Sequence, residues 1–315
     1  MKTTFILHRY LSLRGVTFLS SFMVLLLPAR ASQEKRFATP DEAVKALTTA
    51  AENKDTNALE VIFGPSVREL VSADAVQASN GLSIFARRAA EKVEPVKKSD
   101  SEFLLELGSD AWPFPIPLVK QDGQWLFDTD AGKEEILNRR IGRNELDTMR
   151  VCHAYAEAQR DYAREDHSGT GVLEYAKHLR STPGQHDGLY WHAEPGEEIS
   201  PLGPLIAEAH SEGYTHDSKI MTEARAPYHG YYFKILTRQD RHAPCGKYDY
   251  IINGHMIAGF ALVAWPAEWG NSGVMTFIIN QQGKIYEKNL GPKTPALARK
   301  MTTYDPGPGW KPATE

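Results

Sequence analysis

A chain of 315 residues with 40 acidic against 36 basic side chains carries a formal charge of −4, and no basic stripe runs through it. That excludes the electrostatic footprint of a nucleic-acid or anionic-lipid binder. A content of 42% hydrophobic and 10% aromatic residues is that of a globular protein with real cores, and the length suits two domains better than one small module.

The first residues read as an export leader. Lys2, Arg9 and Arg14 form a basic lead, Val16 to Leu27 a short apolar core, and Ala29-Arg30-Ala31 places small residues where a signal peptidase requires them. Twelve apolar helical residues span about 18 Å against a hydrocarbon core of about 30 Å, so cleavage fits better than anchoring. No cysteine stands at the cleavage site to carry a lipid, and there is no twin-arginine pair. The expectation is export by the general secretory route, to the periplasm or beyond, with residues 1–31 removed as a signal peptide and no stable membrane anchor left. The leader takes four basic residues and no acidic one, leaving 32 against 40 and a net charge of −8.

Thr39-Pro40-Asp41-Glu42 opens a first module, residues 37–130, as a helix start: Thr39 caps, Pro40 takes the first helical position and Glu42 closes a capping box. Ala43, Leu47 and Ala50 follow at helical spacing. Asp55 to Phe63 predicts a second helix stopped by Gly64-Pro65, and 65–73 and 81–91 predict two more. Glu102 to Gly108 then reads as a strand. The alternating Pro113, Pro115 and Pro117 remove donors from one lateral edge, which predicts an edge strand or an extended connector. Asp122-Gly123 turns the chain into Gln124 to Asp128, giving a hairpin. Helices followed by a hairpin-built sheet is the order of the cone-shaped nuclear-transport-factor-2-like (NTF2-like) fold, and FATPDEAVKAL and DGQWLFD are similar to that superfamily's opening and closing segments.

Residues 131–143 predict a charged linker helix with Gly142 as hinge. A long amphipathic helix of roughly 33 Å follows over 144–166, with Leu146, Met149, Cys152 or His153, Ala156 and Ala163 along one face and Tyr155 and Tyr162 beside it. Glu174 to Leu179 predicts a short helix, and Ser200-Pro201 caps another through Ala209. In the last third, apolar segments at 228–236, 259–266 and 274–286 read as strands, and Asn253-Gly254 marks a two-residue hairpin turn. Phe260, Leu262 and Ala264 line one face of their strand and Ala261, Val263 and Trp265 the other. Both faces are apolar, so both must be covered. The long helix supplies one cover; the first module or a partner is expected to supply the other. Residues 292–315, ending in a tail rich in Pro and Gly, read as an extension that drapes or frays.

The runs Arg139-Arg140-Ile141-Gly142-Arg143-Asn144-Glu145-Leu146, Ser200 to Leu205, Pro227 to Tyr232 and Gly259 to Glu268 resemble a family of exported bacterial proteins of unknown function, DUF2950. The resemblance covers nearly the whole chain after the leader and implies an address and a shape, with no reaction, ligand or catalytic residue attached. Residues 144–291 by themselves are similar to the heads of pilin-like proteins, in the asparagine-glutamate-led helix, the Tyr175-Ala176-x-x-Leu179 segment and the terminal hairpin. The fold class expected is therefore α+β: an NTF2-like, cone-shaped module followed by a pilin-head-like module in which a long helix packs on an antiparallel sheet. Pilin subunits carry an apolar segment at the start of that helix; here the apolar segment is distant and cleavable, so filament assembly is not expected.

The search for chemistry yields weak signals. Asn271-Ser272-Gly273 lacks the Gly-x-Ser-x-Gly of a lipase and any linked His and Asp, and reads better as a polar turn. His186-Asp187 with His192 and Glu194 is the densest imidazole and carboxylate cluster, which makes His186 and His192 candidate metal ligands against the alternative of scattered surface histidines. Cys152 and Cys245, the only cysteines, could pair across a loop of about 90 residues in an oxidising compartment or stay as separate thiols. Tyr228, Tyr231, Tyr232, Trp265 and Trp269 could line a groove or fill a core; Tyr232 and Trp269 are the two expected at an accessible surface. No cofactor motif is present. The expected function is non-enzymatic binding or scaffolding in the cell envelope, with an envelope protein or small ligand as partner. The alternative is a hydrolase or small-ligand-binding protein using the cone-shaped pocket of residues 37–130.

Overall fold

The computed structural model describes residues 34–215 and 226–314; the expected leader lies outside the described residues. The fold is mixed α+β, with helices packed on antiparallel sheets around two hydrophobic cores. Among the described residues no helix is long and apolar enough to cross a membrane.

The first lobe opens with α1 (Pro40–Glu52), α2 (Thr56–Phe63) and, after a 3-10 turn at Pro65–Leu70, α3 (Ala75–Glu91). Local chemistry starts each helix. Thr39 Oγ1 accepts from Glu42 N–H and the Glu42 carboxylate accepts from Ala38 N–H, one residue earlier than a standard capping box. Asp55 and Asp74 cap α2 and α3. A sheet follows with β1 (Val93–Ser99), β2 (Glu102–Leu107), β3 (Trp112–Pro113), β4 (Leu118–Gln121) and β5 (Gln124–Phe127), in the order β1-β2-β4-β5 with β3 also on β2. β1 has no sequence signal because it is an edge strand, mostly exposed and bearing Pro95, so no apolar alternation marks it. The proline run is an interrupted strand. β3 and β4 flank the two ends of β2, and between them Phe114 N–H still donates to Leu105 C=O at 2.8 Å. Phe63, Phe114 and Phe127 pack ring against ring among Leu47, Ile62, Leu105 and Leu118.

One helix then joins the lobes. α4 (Thr129–Tyr162) runs unbroken for 34 residues, so the expected linker helix and long helix are continuous and Gly142 is not a hinge. Its early turns set Ile136 against the first core, and Met149, Cys152, Tyr155 and Tyr162 enter the second. Gly132 permits the close approach. A Cβ there would stand 2.8–2.9 Å from Ile116 and the Pro115 carbonyl oxygen.

The second lobe holds α5 (Gly203–Ser211) and the strands β6 (Tyr231–Leu236), β7 (Arg238–Gln239), β8 (Tyr248–Asp249), β9 (Ile251–Ile252), β10 (His255–Met256), β11 (Ala261–Pro266), β12 (Met275–Asn280) and β13 (Tyr286–Asn289). α6 (Thr294–Lys300), β14 (Thr303–Tyr304) and β15 (Lys311–Pro312) complete it. The main sheet is antiparallel in the order β15-β13-β12-β11-β6. Asn253 and Gly254 both take left-handed φ between β9 and β10, the geometry of the expected two-residue hairpin. The 174–179 segment is not a helix. Gln159 on α4 donates to Ala176 C=O and accepts from Ala176 N–H, Tyr175 N–H donates to Met256 C=O and His178 C=O accepts from Leu189 N–H, so the backbone of this segment is bonded to other parts of the chain and not to itself.

β11 is buried along its whole length. Register puts Tyr231, Phe233, Ala264 and Phe277 on one face, and the Tyr231 hydroxyl reaches Glu145 of α4 at 3.4 Å. The opposite face carries Tyr232, Lys234, Val263 and Trp265, and Lys234 Nζ donates to the Arg299 carbonyl of α6 at 2.6 Å. The second cover is therefore the chain's own C-terminal extension, where a first-module or partner cover was expected. The extension does not fray: β14 pairs with β7 and β15 with β13.

Candidate functional site

Two places concentrate polar chemistry. The first is the seam between the lobes. Asp74, 2% exposed, accepts from Val76 and Gln77 N–H through Oδ1, and from the Tyr214 hydroxyl (2.6 Å) and Gly230 N–H (3.2 Å) through Oδ2. One carboxylate thus caps α3 of the first lobe and holds two elements of the second. Gln77 donates to Asn144, which donates to Ser272 C=O. Arg140 bridges Leu70 C=O and the Asn271 side chain. Glu145 accepts from Val274 and Met275 N–H at 2.8 and 2.9 Å. His229 sits beside this seam at left-handed φ, with Nδ1 3.5 Å from Asp147 and Nε2 3.1 Å from Glu212. Burial raises the Glu212 carboxyl above its ordinary range, opposed by the charge of His229.

The second place is a half-open cleft of about 440 Å³ formed by residues 180–186 with Tyr190, Trp191 and His192. Its walls are one stitched loop. Ser181 N–H donates to Tyr190 C=O, Leu189 N–H to His178 C=O, and the Tyr162 hydroxyl at the end of α4 to His186 C=O at 2.7 Å. Gly188 is required at the crossing, where a Cβ would fall 2.6 Å from the Arg180 carbonyl carbon. Thr182 donates to Asp187 from both N–H and hydroxyl, at 2.7 and 2.8 Å. Burial works against the Asp187 carboxylate, but these bonds outweigh it and hold the carboxyl below its usual range. Asp187 is thereby committed to the loop.

Of the expected site residues, His186 and His192 do reach this cleft, yet they do not assemble with Asp187 and Glu194 as a ligand set. His186 stacks on Trp191, ring centroids 4.1 Å apart at 15°, while His192 is exposed with Nε2 3.4 Å from Glu194. The close-set group among the described residues is instead Glu165, His167 and Glu198, whose donor atoms lie within 4.8 Å of one another. Sequence pattern missed it because Glu198 is far along the chain; the Glu-x-His spacing of Glu165 and His167 was the only local signal.

Cys152 and Cys245 are both free, so the disulfide alternative does not stand. Cys152 is buried in α4 and its thiol is pushed up to about 12 by burial, whereas Cys245 is exposed in a turn at φ +68°. Tyr232 and Trp269 are half-buried and form no shared surface: Tyr232 packs on Trp265, and Trp269 donates to Asn289 at 3.0 Å. Tyr228, Tyr231 and Trp265 are core. Ser272 is wholly buried and bonds the Glu268 backbone both as donor and acceptor, so it is a turn residue.

No curated protein and no solved structure matches the chain. The match lies with a family: the model described as "Protein of unknown function (DUF2950)" covers residues 34–313. Over nearly its whole length, the chain belongs to the DUF2950 family.

Proposed function

We propose that this is an exported, non-enzymatic binding or scaffolding protein of the cell envelope, with the cleft of residues 180–192 as its recognition site. The observation that carries the reading is the construction of that cleft. Its loop is tied to itself by backbone bonds and to α4 by the Tyr162 hydroxyl, so the recess is preorganised and little ordering entropy opposes binding. Imidazole, amide and hydroxyl groups around buried aromatic rings suit a small polar ligand or an exposed loop of an envelope partner. The basic, apolar and small-residue order of residues 1–31 supports export and periplasmic or extracellular residence. On the fold, three helices followed by a hairpin-built sheet support an NTF2-like first lobe, and a long helix on an antiparallel sheet supports a pilin-head-like second lobe.

The other reading, a hydrolase or ligand site inside the first lobe, needs polar groups converging there. That interior is packed with Phe63, Phe114, Phe127, Leu47 and Leu105, which favours the cleft. Thermal-shift and calorimetric screening of the purified protein against sugars, amino acids and cell-wall fragments tests the proposal. A ligand is expected that raises Tm and loses affinity on Gln185→Ala or His186→Ala. Turnover of a substrate from a broad hydrolase panel, abolished by changing one pocket residue, would overturn it.

A further inference from the structure

The end of α4 and the loop before α5 bring together three metal-type donors that neither the family nor the binding proposal uses. Glu165 and His167 leave the helix in a turn folded by Asp166, whose own carboxylate is taken up by Ser168 and by Gly171 N–H. His167 is held from two sides, stacked on Tyr162 at 4.3 Å and 5.4 Å from the Trp191 ring. The same Trp191 donates its Nε1 to the Glu198 carbonyl at 3.2 Å, which fastens the third residue to the same wall. One buried indole therefore fixes both chain segments, and the donor atoms of Glu165, His167 and Glu198 end within 4.8 Å of one another. Among the described residues, neither glutamate has an ion-pair partner, although basic side chains satisfy many other surface carboxylates.

We infer that Glu165, His167 and Glu198 bind a divalent transition-metal ion of the zinc or manganese class. Tetrahedral donors about 2.1 Å from zinc stand about 3.4 Å apart. Closing from the observed spacing takes a shift of roughly an ångström and a half, which two exposed glutamate side chains achieve by rotation. Imidazole with two carboxylates suits zinc, manganese or iron(II) and disfavours calcium, which takes oxygen donors alone. Three protein ligands leave a coordination position for water or a ligand atom. His186, its ring 6.4 Å from that of His167, stands within reach as a further donor and also lines the cleft. The site goes beyond the binding proposal and is separable from it, since the cleft can hold a ligand in metal-free protein and the metal can bind with the cleft empty.

The test uses tag-free mature protein stripped with chelator and titrated calorimetrically with Zn²⁺, Mn²⁺ and Ca²⁺, with bound metal counted by mass spectrometry. One equivalent of zinc or manganese is expected. His167→Ala and Glu198→Gln should each weaken binding by roughly 100-fold or more, since even outer-sphere partners are worth 10–100-fold. His192→Ala should leave affinity unchanged. Glu198→Gln alters an exposed side chain at constant size, and a circular-dichroism melt checks that it folds. Absence of stoichiometric binding to wild-type protein, binding indifferent to Glu198→Gln in folded protein, loss with His192→Ala instead, or a preference for calcium would each overturn the inference.

Discussion

Cys152 is wholly buried and burial pushes its thiol up to about 12, so at neutral pH it is uncharged and out of reach. Cys245 is exposed and free. The native protein should therefore react with a thiol reagent at one site quickly and at the second only on unfolding. Unreduced, unfolded protein showing no titratable thiol would restore the disulfide. Cys245 also sits at φ +68°, where a Cβ is strained. Cys245→Gly is expected to raise stability by about 1 kcal/mol in denaturant melts while removing the reactive thiol. Neither cysteine's fate was legible in sequence. Spacing gives the length of a loop, but burial of Cys152 against the sheet and exposure of Cys245 are consequences of tertiary packing.

At the scale of elements, whatever was decided within a few residues was legible and whatever depended on a distant side chain was not. Thr39 with Glu42, and Asn253 with Gly254, act on their own neighbours, so their caps and turn stand where the sequence placed them. The 174–179 segment failed as a helix because its backbone is bonded to distant parts of the chain, Gln159 on α4 among them. The break at Gly142 failed for a related reason. A glycine in a helix pattern reads as a hinge, yet the turns on both sides are packed and the helix continues. A Cβ added at Gly142 would meet no heavy atom within 4 Å, whereas one at Gly132 would meet backbone at 2.9 Å. Gly142→Ala is therefore expected to stabilise by about 0.5–1 kcal/mol through helix propensity and chain entropy. Gly132→Ala, the same substitution in the same helix, should destabilise by about 1–3 kcal/mol from overpacking. Equal effects at the two positions in denaturant melts would show that α4 is not clamped on the first lobe as described. The same division explains the candidate metal group: Glu165 and His167 are neighbours, but Glu198 meets them across Trp191, a contact between distant parts of the chain.

For the whole molecule, three of the four sequence runs that carry the family resemblance build the seam and the central sheet, and the fourth, Ser200 to Leu205, leads into α5. Arg140, Asn144 and Glu145 belong to one run, Tyr228, Gly230 and Tyr231 to another, and Phe260 to Trp265 to a third. They identify a shape because they hold a shape, which is why the family was legible and the ligand was not. The seam also sets how the protein unfolds. α4 spans about 51 Å and enters both cores, and Asp74 ties the start of α3 to Tyr214 and Gly230. Two cores linked this way should melt together in one calorimetric transition. Asp74→Asn keeps an oxygen to cap α3, but its amide nitrogen cannot accept from Gly230 N–H. The variant therefore weakens the seam and spares the helix start, at a cost of about 1–3 kcal/mol for a buried donor left unpaired. It is expected to split or broaden the transition, with the smaller first lobe melting first. Asp74→Ala removes the cap as well and should lower both steps. A single transition at unchanged Tm in Asp74→Asn would mean that the Asp74 contacts add nothing to the cooperativity of the lobes, leaving it to α4 and to the remaining seam bonds such as Asn271 to Glu69 and Val71.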